Sequence, residues 1–134
     1  MNTAEAHEIF TKEKLDSIFP PDRADHFFDA LYGDVREGAY DISLFFAKYL
    51  PESRELLFEF HLKQRPGKCL ACNLTYGLPQ VFSRHPLINI KGLVQEIEKM
   101  LRDGAQCADW QLGATREISR SLHMIPLTIR LQTS

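Results

Sequence analysis

The sequence predicts an α+β domain: helices followed by a three-stranded antiparallel meander, a helix and two further strands, with the helices packed on one antiparallel sheet. Three observations predict it. Segments within residues 12–33 and 90–103 carry apolar residues at helical spacing. Two central segments alternate apolar and polar residues with period two. Proline and glycine punctuate the boundaries between them.

Residues 1–9 read as a flexible arm. Thr11 is placed to cap a short helix, "KEKLDSIF", which carries Leu15, Ile18 and Phe19 on one side. Pro20 and Pro21 end it, and Pro21 suits the first turn of the next helix, "PDRADHFFDALYG". There Ala24, Phe27, Phe28 and Leu31 follow the i, i+3, i+4, i+7 pattern, and Gly33 marks a stop.

"AYDISLFFAKYL" is the first strand. Tyr40, Ile42, Leu44, Phe46 and Leu50 share one parity; Phe45, Ala47 and Tyr49 share the other. Apolar residues on both parities mean that the strand is buried on both faces, or that one face meets a partner. "ELLFEFHLKQ" is the second strand, with Leu56, Phe58, Phe60 and Leu62 on one face. Leu57, Glu59, His61 and Lys63 lie on the other. "RPGK" centres a turn on Pro66-Gly67, and "CLACNLTYG" reads as a third strand returning beside the second. A two-residue turn there sets Gln64 opposite Cys69 and His61 opposite Cys72.

"LPQVFSRHPL" reads as an irregular loop because it holds two prolines. Asn89 caps the strongest helix, "IKGLVQEIEKMLRD", whose stripe is Ile90, Leu93, Val94, Ile97 and Leu101. Glu98 and Arg102 stand at pairing distance along it. Residues 110–131 read as two strands around "SRS". Pro126 lacks a donor, so the second is expected at an edge or broken at a bulge.

The chain's 134 residues suit one domain, 1–134, that buries a core without staples. The formal net charge of −2 and the short basic clusters lack the footprint of a nucleic-acid binder. No apolar run is long enough to span a membrane. "MNTAEAHEIF" has neither the basic nor the apolar region of a secretory signal, and the three cysteines are an odd count. A cytoplasmic setting with free thiols is expected.

The C-x-x-C pair of Cys69 and Cys72 is the one motif with metal or redox chemistry. Zinc needs both thiolates on one side, at about 2.3 Å from the ion. On an extended strand, positions i and i+3 point to opposite faces. His85 follows Cys72 at close to zinc-finger spacing, but the second histidine of such a finger is missing. A composite zinc site would draw on Cys69, Cys72, His85 and Cys107, with His61 and His123 as further imidazoles; no cofactor is otherwise expected. A second expectation is a small-ligand or catalytic pocket near residues 78–88, where His61, Cys72 and His85 converge. Glu59, His61 and Lys63 also form a row on one strand face, able to serve as acid and base or simply to meet solvent.

Two resemblances extend this reading. "LLFEFHLKQRPGKCLAC" and "MIPLTI" resemble two pieces of thioredoxin-like oxidoreductases, without the central strand or the final helix of that fold. The element order over about residues 21–131 resembles the small dimeric chaperones of type III secretion. "LTYGLP" is similar to the segment before their second helix. That likeness is of order alone, without a residue signature, and implies a homodimeric protein-binding module. The leading expectation is therefore a non-enzymatic interaction or chaperone-like module, working as a homodimer or on an unidentified protein partner. Its surface is an apolar sheet face or the helix 90–103.

Overall fold

The computed structural model describes residues 2–20, 22–32, 40–68, 78–86, 88–101 and 104–132, with the backbone alone for 28–32. Among them are five helices and one five-stranded antiparallel sheet, so the chain is α+β. In chain order the elements are α1 (Thr3–Ile9), α2 (Lys12–Ile18), α3 (Arg23–Tyr32), β1 (Tyr40–Leu50), β2 (Glu55–Gln64), α4 (Leu78–Arg84), α5 (Ile90–Met100), β3 (Cys107–Leu112), β4 (Arg116–Ser119) and β5 (Leu122–Leu131).

The expected arm is a helix. Asn2 accepts from the Glu5 amide at 2.9 Å and caps α1. Ala6 and Ile9 are buried, and Phe10 meets Phe46 and Phe58 at 5.2 and 5.1 Å between ring centroids. Seven residues cannot hold a helix alone in water. Packing of its apolar side on the sheet supplies the missing stability. Thr11 caps α2, as the sequence indicates.

The expected loop 78–88 also contains a helix. Pro79 lies in the first turn of α4, where its missing N–H leaves no intrahelical bond unmade. Phe82, fully buried, anchors α4 to Phe27 and Phe60. Asn89 caps α5 from a left-handed conformation, φ 50°, and accepts from the Gly92 amide at 3.2 Å. Ile90, Leu93, Val94 and Ile97 are buried as its stripe predicts. Arg102 lies outside the described residues; Glu98 accepts from the Cys107 amide at 2.7 Å.

Strand order is β1-β2-β5-β3, with β4 also on β5. This corrects the meander. Each residue of β2 from Glu55 to Lys63, Leu57 and Leu56 included, pairs with β5, and its other edge pairs with β1. His61 faces Ser43 on one side and Met124 on the other, so the expected pairing with Cys72 has no edge to use. Residues 69–77 lie outside the described residues. The two thioredoxin-like pieces lie in β2 and β5, which pair directly with no strand between them.

Pro126 is therefore central rather than at an edge, and the neighbouring strand makes room for it. β3 and β4 run along β5 as one strand interrupted at residues 113–115. Within an antiparallel strand, N–H and C=O of one residue point to the same side. The Pro126 carbonyl accepts from the Gly113 amide at 2.8 Å, so its absent donor faces that interruption. A Cβ on Gly113 would stand 2.6 Å from Pro126 Cγ, which explains glycine there.

One sheet face is dry. Ile42, Leu44, Leu56, Phe58, Phe60, Leu62, Ile125, Leu127 and Ile129 lie on it, fully buried. The helices cover this face: Phe19 meets Phe60 at 5.3 Å, and α5 packs against β3. A one-residue bulge at Ala47, between Phe46 and Lys48, reverses the parity of β1. Tyr49, rather than Leu50, then turns inward opposite Leu56.

Candidate functional site: the second face of the sheet

No described helix packs on the opposite face. Cross-strand rows build it from the residues that alternate with the core. Ser43, His61, Met124 and Arg116 form one row; Phe45, Glu59 and Pro126 the next; Lys48, Leu57, Thr128 and Gln111 a third. Met124 is buried by its neighbours, while Phe45, Ala47, Leu57, Pro126 and Leu122 are half-buried. They form an apolar strip across β1, β2 and β5. Ile118, in the β4 bulge, is 58% exposed.

Two shallow recesses open on this face. The first, about 410 Å³, is lined by Ser43, Phe45, His61, Lys63, Ser119, Ser121 and Leu122. The second, about 430 Å³, lies over Ala47, Lys48, Leu57, Glu59, Arg116, Met124, Pro126 and Thr128. His61 and Glu59 join them. The His61 ring stacks on Phe45 at 4.2 Å, and its Nε2 is 2.9 Å from Glu59 Oε1. Lys12 of α2 reaches over the β1 edge to stand 4.5 Å above the Phe45 ring, and also pairs with Asp16. A cation over an aromatic face is attracted by the ring quadrupole, which fixes Phe45 at the rim.

The acidic groups of this face are matched internally. Asp41 bonds Arg65, which reaches on to Asp25 of α3. Glu59 bonds His61, and Asp109 bonds Arg130. The Arg130 guanidinium holds the Asp109 carboxyl below its ordinary value by hydrogen bonding and charge. Glu55 adds its field to the same arginine. Lys48, Lys63 and Arg116 are exposed, and no ion pair engages them among the described residues.

The other sequence candidates are dispersed. His85 lies beyond α4 and meets Phe27 edge-on at 4.9 Å, on the helix side of the sheet. His61 stands on the opposite side, so the sheet separates these two imidazoles and they share no pocket. His123 is 1% exposed on the core face, opposite Leu62. Cys107 is half-buried at the start of β3, where burial, and then the Glu98 carboxylate, push its thiol up to about 11. A thiol that holds its proton at neutral pH is a poor nucleophile. Cys69 and Cys72 lie outside the described residues. Among the described residues, no three His, Cys, Asp or Glu side chains are grouped to hold a metal ion.

The sequence pointed to Glu59, His61 and Lys63 on one face and to Phe45 on the second parity of β1. It did not join them to Met124, Pro126 and Arg116. The signal was the parity of "LHMIPLTIRL", in which Leu122, Met124, Pro126 and Thr128 alternate with the buried set. Comparison with family models, curated proteins and solved structures finds no match to this chain. No described helix is long and apolar enough to cross a membrane.

Proposed function

We propose that this chain is a small cytoplasmic interaction module, without catalytic activity of its own, that binds protein through the second face of its sheet. One observation carries the reading: an apolar strip, Phe45, Leu57, Met124 and Pro126, crosses three strands of a face that no described helix packs against. A sheet face with such a strip gains free energy when another element covers it.

The α5 surface offers much less. Its apolar stripe is spent on the core, and its outer side presents Lys91, Gln95, Glu96 and Lys99. A partner protein or a second copy of the chain would therefore sit on the sheet. The test is a photo-reactive amino acid placed at Ser43, on the second face, or at Gln95, on α5. Covalent adducts from position 43, with none from position 95, are expected. Adducts from position 95 alone, or from neither, would remove the proposal.

A further inference from the structure

The charges around the strip point to its occupant, and we infer that this occupant is an acidic amphipathic helix of a partner protein rather than a second copy of this chain. The inference rests on the proposed function above. Asp41, Glu59 and Asp109 each already have a partner on their own chain. The exposed cations Lys48, Lys63 and Arg116 have none among the described residues. They stand around the strip on three different strands, β1, β2 and β4. The overall charge is −2, so this cationic rim is a local feature and not a reflection of the whole chain.

A second copy fits this surface poorly. A twofold contact sets one patch against itself, which brings both sets of three cations into one interface. Like charges brought together at an interface cost affinity, and opposite charges steer association. A helix fits it well. The strip spans three strands, about 10 Å across at a strand spacing near 4.8 Å, which matches the width of a helix with its side chains. The opposite face of the same sheet is already covered by helices, so a bound helix completes a layered arrangement. Its apolar stripe would rest on Phe45, Leu57 and Met124, and carboxylates on its flanks would reach Lys48, Lys63 and Arg116.

Three fluorescein-labelled sixteen-residue helical peptides test this against the full chain. The first has a leucine stripe flanked by glutamates. The second keeps the stripe and replaces each glutamate by lysine. The third keeps the glutamates and replaces each leucine by serine. The first is expected to bind at least about tenfold more tightly than either other, with affinity falling as salt rises. The combined variant Lys48→Glu, Lys63→Glu, Arg116→Glu is expected to reverse the preference between the first and second peptides. Circular dichroism checks that it folds, and the salt dependence of the wild-type chain is a second test that needs no variant. Equal binding of the first two peptides, salt-independent binding, no binding of the first, or an unchanged preference in a folded variant would overturn the inference. So would a native-mass dimer that Leu57→Lys dissociates, or capture by phosphatidylserine vesicles in place of the peptide. Adducts from position 43 with failure of the acidic peptide would leave the interaction module standing and remove only this occupant.

Discussion

Phe60 and His61 are neighbours in β2, yet they belong to different environments. Phe60 is fully buried against Phe19 and Phe82. His61 is half-exposed between Phe45 and Glu59. The same alternation along β1 and β5 gives one sheet two unlike faces: a dry one sealed by helices, and a mixed one with no described helix on it. The buried core lies on the first, and the second is the face proposed for recognition.

Substitutions on adjacent residues break this comparison most strongly. Phe60→Ala is expected to cost about 3–5 kcal/mol in denaturant unfolding, through lost contacts and a cavity among the phenylalanines. Leu57→Ala, on the other face of the same strand, is expected to cost less than about 1 kcal/mol. Equal losses would mean that the second face is as fully packed as the first.

A smaller effect comes from the central proline. Gly113→Ala drives a methyl into Pro126 Cγ and is expected to cost about 1–3 kcal/mol. Combining it with Pro126→Ala should recover much of that loss in a double-mutant cycle, because the clash disappears. Additive losses would show that Gly113 serves its own backbone rather than the proline.

Helix α5 tests the sealed side through its cap. Asn89→Ala removes the bond to the Gly92 amide and leaves a left-handed residue without asparagine's tolerance for it, for about 1–2 kcal/mol. Asn89→Gly should cost less, since glycine accepts that conformation. The reverse ranking in thermal unfolding would contradict the capping role.

The smallest effect is at Cys107. Its thiol, ordinarily near 9.0, is raised to about 11 in the folded chain. The folded state therefore binds this proton more tightly than the unfolded state. The associated stability is complete below pH 9 and is lost as pH rises towards 11. Alkylation of Cys107 should stay slow up to about that pH, and Glu98→Gln should move its onset downward by removing a neighbouring negative charge. An onset unaffected by Glu98→Gln would mean that burial alone raises the thiol.

Elements with strong periodicity were legible from sequence. The stripes of α2 and α5, Ala24 and Phe27 of α3, the caps at Thr11 and Asn89, and the alternation of β2 all reflect local signals that tertiary packing reinforces. α1 and α4 were hidden, because α1 shows too few apolar residues for a stripe and α4 carries Pro79; both owe their form to Phe10 and Phe82 docking on the sheet. Pro126 left two readings open, an edge or a break, and the structure shows a central strand beside a break in its neighbour. Its lack of a donor argues for an edge, but the interruption at Gly113 satisfies the same constraint in the middle of a sheet. The second face was half-legible. Parity placed Glu59, His61 and Lys63 together, whereas register, which brings in Met124 and Arg116 from distant parts of the chain, depends on long-range pairing that no local pattern encodes.

The most direct test of the two-faced account is a methyl-labelled nuclear magnetic resonance titration with the leucine-striped, glutamate-flanked peptide. Shifts are expected only at the methyls of Ala47, Leu57, Leu122 and Met124, with Leu56, Leu127, Val94 and the exposed Val81 of α4 unmoved. Shifts centred on Val81 and α5 would contradict the two-faced account, whereas none anywhere would remove only the acidic helix as occupant.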